Sequence, residues 1–215
     1  MVSLRPLRRR GNSLFCRGKD EMKLLLHICC APCVCAPMEE LRAKGLEIEG
    51  YFYNPNIHPL LEFRRRLKAV KVYESTGGPS IPIHYCEDYG LEEFLATVTH
   101  ETPKRCEDCY RMRLLSTAGH AKKHGFDAFS TALLFSTHQK HELVKKAGEE
   151  AARLTGMPFY YMDYRHLYEK SHAMAQKRCL YLQSYCGCIF SEYERYAPTT
   201  KYLYKKEEGE RTERI

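Results

Sequence analysis

The sequence predicts an α/β fold, a single-domain Rossmann-like three-layer sandwich with a mainly parallel sheet, and three observations predict it. Apolar runs of strand length alternate with segments of helical periodicity along the whole chain. The apolar run Leu24-Leu25-Leu26-His27-Ile28 breaks off into Cys29-Cys30-Ala31-Pro32-Cys33, so a strand ends in a cysteine-rich loop. Two more cysteine pairs, Cys106-Glu107-Asp108-Cys109 and Cys186-Gly187-Cys188, lie far away in sequence. Open α/β sheets bind ligands outside the carboxyl ends of their strands. The expectation is therefore one cysteine site at the carboxyl edge of the strands, assembled from all three segments.

The elements follow in order. A basic arm over 1–21 carries Arg5, Arg8, Arg9 and Arg10 without an apolar segment. The first strand spans 22–28. A short helix over 38–44 has Pro37 at its start and Gly45 at its end. The alternation over 46–53 is a second strand, and Asn54-Pro55-Asn56-Ile57-His58-Pro59 is loop chemistry at its carboxyl end. In the long helix that follows, Leu60, Phe63, Leu67 and Val70 line one face. Arg64, Arg65, Arg66, Lys68 and Lys71 crowd the rest, and Gly77-Gly78 stops it. Residues 81–85 form a short strand that Pro82 confines to an edge. Helices are expected over 89–98 and 107–124, the latter ended by Gly125. A strand over 126–132 precedes a helix over 141–155, whose apolar face is Leu143, Ala147, Ala151 and Leu154. Residues 157–162 are the last strand, with Asp163 at its end. A helix over 171–185 delivers Cys186-Gly187-Cys188, and a charged tail runs over 198–215. The catalytic domain is thus 22–197, between the arm and the tail.

At 215 residues the chain buries a real core. No apolar run is long enough to cross a membrane, so no membrane partner is expected and the default location is cytoplasmic. Structural disulfides are rare there, and the eleven cysteines point instead to a metal or to redox catalysis. The net charge of +7 suits a polyanionic partner such as RNA, although a solvated basic surface gives the same sum.

Cys106-x-x-Cys109 reads as half a zinc site, half an iron–sulfur site or a redox dithiol. Its place at the electropositive start of a helix favours thiolates. Neighbouring side chains of a strand point to opposite faces, so Cys29 and Cys30 share a site only where the strand ends and the backbone turns. Cys30-Ala31-Pro32-Cys33 also spells a thioredoxin-type dithiol, without a thioredoxin-like order of elements around it. Cys186-Gly187-Cys188 reads as an exchangeable dithiol or a ligand pair for a labile metal. Zinc accepts four thiolates in closed sites, but cysteines spread over loops at a ligand-binding edge favour catalysis and an iron–sulfur cluster. The radical-SAM spacing, a Walker A loop and a Gly-rich dinucleotide fingerprint are absent from the sequence.

Taken together, Leu25-Leu26-His27-Ile28-Cys29-Cys30-Ala31-Pro32-Cys33, Tyr51-Phe52-Tyr53-Asn54-Pro55-Asn56-Ile57-His58-Pro59, Cys106-x-x-Cys109-Tyr110 and Tyr185-Cys186-Gly187-Cys188 resemble the epoxyqueuosine reductase QueH family. The resemblance runs from about Lys23 to Tyr193. It implies reduction of epoxyqueuosine in the tRNA anticodon loop to queuosine, the last step of queuosine formation. It implies a 4Fe–4S cluster on Cys29, Cys30, Cys106 and Cys109, a redox-active pair in Cys186 and Cys188, and an additional iron ion beside the cluster. The electron donor is not identified by any motif.

Deoxygenating an epoxide takes two electrons and two protons, and the leaving oxygen needs a Lewis acid or a proton donor. His27, His58, Tyr110 and Asp163 are the candidate donors, with Tyr110 and Asp163 foremost as catalytic acids. Asn54, Asn56 and His58 are candidates for substrate hydrogen bonds, and Arg64, Arg65, Lys68, Arg111 and Arg113 for phosphate contacts. Two other readings stay open: a zinc-stabilised RNA-binding protein, and a thiol–disulfide oxidoreductase using Cys30/Cys33 or Cys186/Cys188.

Overall fold

A computed structural model describes residues 22–76, 81–101 and 103–198. The arm over 1–21, the Gly77-Gly78 stop and the tail from 199 onward lie outside the described residues.

Four parallel strands form the sheet: β1 (Lys23–His27), β2 (Glu47–Phe52), β3 (Ile83–Tyr85) and β4 (Ala128–Thr131), in the order β3-β2-β1-β4. β1 pairs with β2 on one side and β4 on the other, with Leu24 opposite Ile48 and Ala128. Leu24, Leu25 and Leu26 are all fully buried, as a central strand covered on both faces requires. The helices are α1 (Cys35–Ala43), α2 (Leu60–Thr76), α3 (Leu91–Thr97), α4 (Lys104–Lys123), α5 (His141–Thr155), α6 (Tyr168–Lys177) and α7 (Ile189–Tyr196). Parallel strands demand right-handed crossovers. Strands β1, β2 and β3 march one way through α1 and α2, and α4 returns the chain to place β4 beyond β1. The two sets of helices therefore cover opposite faces, and the strand order reverses between β1 and β4, where such sheets bind ligands.

Residues 157–162 are not a full strand. Among the described residues they contribute a single parallel bridge, Phe129 to Phe159, through the Phe129 amide to Pro158 and the Tyr160 amide to Phe129. Pro158 has no amide to extend the ladder. The segment runs hard against α5, where a Cβ on Gly148 would sit 2.4 Å from the Phe159 ring. The buried face of α5 is accordingly Val144, Ala147, Gly148 and Ala151, while Leu154 is 51% exposed.

The helix expected over 171–185 also differs. α6 starts earlier and ends at Lys177, and Cys179 turns the chain with a positive φ of 52°. Residues 178–188 are irregular apart from turns, and a further helix, α7, begins after Cys188. In α2, Leu60 is 37% exposed, whereas Arg66 lies on the buried face with Phe63, Leu67 and Val70. α4 begins one turn earlier than the sequence suggests and places Cys106 and Cys109 on neighbouring turns of the same face.

Candidate metal centre and active site

The three cysteine segments meet at the carboxyl edge of the sheet. β1 carries the chain to Cys29 and Cys30, whose sulfurs lie 3.7 Å apart. The backbone turn after β1 lets both face one side. The sulfurs of Cys29, Cys30 and Cys33 lie within 4.8 Å of one another, and Cys30 and Cys33 are joined as a disulfide. Cys109 packs with Cys188 and Cys186 in one small apolar cluster capped by Phe94 and Val98.

Arg113, one turn beyond Cys109 on α4, is the cation at the centre. Its side chain is 2% exposed and interacts electrostatically with Cys109, Cys29, Tyr110 and Cys186. Its Nε donates to the Cys109 carbonyl at 3.3 Å, and its guanidinium lies 5.6 Å from the Tyr110 ring centre. Among the described residues no carboxylate pairs with it. A buried guanidinium needs a counter-charge, and the neighbours offered here are thiols. The sequence suggests Arg113 as a phosphate contact, but its guanidinium is buried among the thiols of Cys109, Cys29 and Cys186.

Burial outweighs the helix end at Cys109 and pushes its thiol up to about 11, with Arg113 pulling the other way. Burial raises Cys29 too, against Arg113 and Arg66. Free thiolates are therefore disfavoured at both positions, and a metal deprotonates such thiols outright. Cys186 is different. The Cys188 thiol 3.9 Å away, the Ser191 hydroxyl 3.0 Å away and Arg113 hold it down to about 5, against the opposing effect of burial. Cys188 is held up by Cys186 and by burial. The pair is a thiolate beside a thiol, and the Cys188 sulfur also accepts the Ser191 amide at the start of α7.

The loop that presents this pair is built from below. Arg66, 1% exposed, forms an ion pair from its Nε to Glu62 Oε1 at 2.6 Å. Its Nη1 and Nη2 donate to the carbonyls of Cys186 and Tyr185 at 3.0 and 2.9 Å. Gly187 holds φ at +123°, and a Cβ there would meet Ile57 at 3.0 Å and Arg66 at 3.1 Å. The His58 amide donates to the Gly187 carbonyl at 2.7 Å, and the Tyr185 hydroxyl donates to the His58 carbonyl.

The other expected site residues fall into distinct places. Asn54 donates to the Ile28 carbonyl at 2.8 Å and so fixes the exit of β1. Asn56 and His58 are buried beside it, and Asn56 Oδ1 finds no hydrogen-bond partner among the described residues. Arg64 and Arg65 are exposed on α2. Tyr110 is buried, stays protonated because burial pushes its hydroxyl up, and donates to Gln139 at 2.7 Å. Asp163 is clamped by Arg165, with contacts down to 2.6 Å, which hold its carboxyl at about 2. It is ionised at neutral pH and has no proton to give, and the reason is the salt bridge. His27 is neutral, held down to about 3 by burial and Arg113. Its Nε2 lies 3.1 Å from the Tyr53 carbonyl, which only accepts, so Nε2 carries the proton and Nδ1 faces Thr131.

Residues outside the sequence-based set also belong here. Gln183 Nε2 donates to the Cys30 sulfur at 3.0 Å. It lies in the stretch expected to be helical, and nothing in that pattern sets it apart. Arg66 has a readable signal, a Glu four residues earlier and a position one residue before Leu67 on the apolar stripe.

The aromatic box around His58, formed by Tyr89 and Phe94, has a measurable consequence. Burial lowers its imidazole to about 4 from an ordinary value near 6.5. Between those values the unfolded chain binds a proton that the folded chain refuses, so stability falls as pH drops from about 6.5 to about 4. The urea midpoint of the wild type should decline through that window. His58→Gln should decline less steeply, and parallel slopes for the two would remove His58 as the cause.

Comparisons with known proteins agree with this arrangement. A family model described as Epoxyqueuosine reductase QueH matches residues 24–194. A protein named Epoxyqueuosine reductase QueH from Dehalococcoides mccartyi is 38% identical over 174 residues, 81% of this chain and 94% of its own. The protein of that name from Thermotoga maritima is 33% identical over 182 residues, 80% of this chain and 91% of its own. A third, from Haemophilus influenzae, is 34% identical over 196 residues, 86% of this chain and 80% of its own. The matched region holds every cysteine pair at the carboxyl edge, and the chain belongs to the epoxyqueuosine reductase QueH family, a family of oxidoreductases.

Proposed function

We propose that this chain reduces epoxyqueuosine in tRNA to queuosine with an iron–sulfur centre and the Cys186/Cys188 dithiol. The observation that carries the reading is the convergence of Cys29, Cys109 and Cys186 on the buried Arg113, which pairs with no carboxylate among the described residues. The donor set suits a 4Fe–4S cluster on Cys29, Cys30, Cys106 and Cys109: the ligands are thiols, three of them buried and Cys106 half-buried, and a net-negative thiolate cluster answers the buried guanidinium. Cys30 ligates only as a free thiolate, so this set requires the Cys30–Cys33 pair to be reduced. When bound, the cluster supplies single electrons. The family resemblance also implies a further iron ion, and iron beyond four per chain would reveal it.

The residues account for the remaining requirements. Removing the epoxide oxygen as water, with a carbon–carbon double bond formed, consumes two electrons and two protons. Oxidation of the Cys186 thiolate and the Cys188 thiol to a disulfide releases two electrons and one proton, and the second proton comes from the catalytic acid, which solvent reprotonates. Cys186 is already the thiolate, and Cys188 keeps its proton until oxidation. Between the two acid candidates the geometry favours Tyr110, whose protonated hydroxyl lies one residue from Cys109. Asp163, clamped by Arg165, suits an accepting role. An external electron donor then returns the disulfide to the dithiol.

Recognition of a base splayed from a single-stranded loop calls for aromatic and hydrogen-bonding groups beside cations for the phosphates. The exposed Arg64, Arg65 and Lys68 on α2 supply the cations. tRNA binding should weaken steeply with salt, and Arg64→Glu with Arg65→Glu should flatten that dependence. A wild-type affinity indifferent to salt would sink this part of the reading.

The deciding experiment is iron and sulfide analysis of anaerobically purified protein, followed by turnover on epoxyqueuosine tRNA. About four irons and four sulfides per chain are expected. Cys186→Ser with Cys188→Ser should keep that iron and lose turnover. Full turnover in the double variant would remove the dithiol from the mechanism, and zinc in place of iron would leave an RNA-binding protein instead.

A further inference from the structure

The opposite end of α4 carries a second cluster of metal-ligating side chains. His120 and His124 lie one helical turn apart, at the last turn of α4 and its C-cap. His84 on the edge strand β3 reaches them across the sheet face. Their ligating ring nitrogens all lie within 4.8 Å of one another. We infer that His84, His120 and His124 form a binding site for a divalent first-row transition ion, zinc foremost.

One nitrogen pair already sits at ligand spacing, joined by a hydrogen bond whose proton an ion would displace. Zinc–nitrogen bonds of about 2.0–2.1 Å at tetrahedral angles put two ligand nitrogens about 3.4 Å apart. His84 Nδ1 and His120 Nε2 are 3.2 Å apart. The other nitrogen of His84, Nε2, meets Glu49 Oε2 at 2.7 Å. That carboxylate fixes the tautomer, because a carboxylate accepts the Nε2 proton and leaves the Nδ1 lone pair facing His120. A carboxylate behind a ligand histidine is the usual support of a metal site.

The rings are held in place before any ion arrives. Tyr51 stacks with His120 with ring centres 4.3 Å apart, and His124 stacks with His120 at 4.1 Å. Phe126 meets His84 edge-on at 6.0 Å. The hydrogen bond to Glu49 accounts for His84 alone; it gives no reason for a third imidazole, His124, to lie against the pair. His84 and His120 are half-buried and His124 is exposed, so an ion has a way in and solvent can complete the coordination.

This centre is separate from the cysteine site. From Cys109 to His120 the helix advances about 16 Å at about 1.5 Å per residue. The ligands are imidazoles backed by a carboxylate, which suit zinc, nickel or copper, and none is a thiolate. An ion here ties the three-residue edge strand β3 to α4 and so fastens the outer side of the sheet.

The test is calorimetric titration of the full-length protein with zinc alone, beside His84→Gln and His124→Gln. Zinc that binds at cysteines is common to all three, so the difference reports the histidines. The wild type should take up one equivalent more than either variant, and zinc should raise its melting temperature more than theirs. Glu49→Gln should keep the equivalent and bind it about 10–100-fold more weakly. Cobalt filling the same position should show ligand-field bands without sulfur-to-metal charge transfer. His124 is exposed, so its variant is expected to fold, which circular dichroism checks. Equal stoichiometry and affinity in the wild type and both histidine variants, or sulfur charge transfer on the extra cobalt, would overturn the inference.

Discussion

Arg66→Met is expected to destabilise the protein by about 3–5 kcal/mol, the cost of leaving one member of a buried ion pair alone. The pair in question is Arg66 with Glu62, both almost fully buried, and Tyr181 donates to the remaining Glu62 oxygen. The same substitution removes the donors to the Tyr185 and Cys186 carbonyls, which set the backbone of the dithiol loop. Arg66→Lys should fare little better, because three separate guanidinium nitrogens are in use and an ammonium cannot span them. Two effects are mixed here, and Glu62→Leu with Arg66→Met separates them. Without a stranded carboxylate the double variant should recover much of the lost stability in urea. It should not recover the ordering of the loop, so the thiolate character of Cys186, read from the pH dependence of its alkylation, should stay impaired. Recovery of both together would show that Arg66 matters only as a charge partner.

Arg66 also marks where sequence reading runs out. The alternating strands and helices and the parallel sheet were legible, because Leu24 to Leu26 form a run with no exposed side. So was the meeting of the three cysteine segments, since the carboxyl edge of such a sheet is a fixed place. An Arg-Arg-Arg run reads as a solvated face; Glu62 four residues earlier singles out Arg66, but it is the depth of α2 against the loop at Cys186 that shows the third arginine pointing inward. The break of the helix after Lys177 was hidden for a related reason. Cys179 adopts a left-handed turn that glycine or asparagine would normally announce. The disulfide partner of Cys30 and the orientation of Gln183 are three-dimensional facts without a periodic signature. His120 and His124 do have one, a four-residue spacing, but His84 is remote and no spacing links it to them.

Arg113→Met should leave the metal-free chain nearly as stable as the wild type and yet cut its hold on iron. The first half follows from the neighbours. Cys29 and Cys109 are thiols that burial keeps protonated, so the only opposite charge that loses a partner is the Cys186 thiolate, which Cys188 and Ser191 still hold. With that support left in place, an apolar side chain of similar volume should cost the metal-free chain little. The second half follows from what ligation does to those same thiols. Once deprotonated by a metal they are buried negative charges, and Arg113 is the cation facing both. A charge-assisted interaction of about 1.5–3 kcal/mol corresponds to roughly a 10–100-fold loss of affinity. Competition with a chelator after anaerobic reconstitution measures that loss directly. Arg113→Lys should fall between, keeping the charge and losing the Nε bond to the Cys109 carbonyl. Cys186 should respond as well, its thiol rising from about 5 once the guanidinium is gone, though Cys188 and Ser191 remain to hold it down. If Arg113→Met unfolds the metal-free chain and leaves iron retention per folded molecule unchanged, the guanidinium is a structural bolt for α4. If iron is lost while the fold stands, Arg113 is the counter-ion of the centre, and the buried cation without a carboxylate has its explanation.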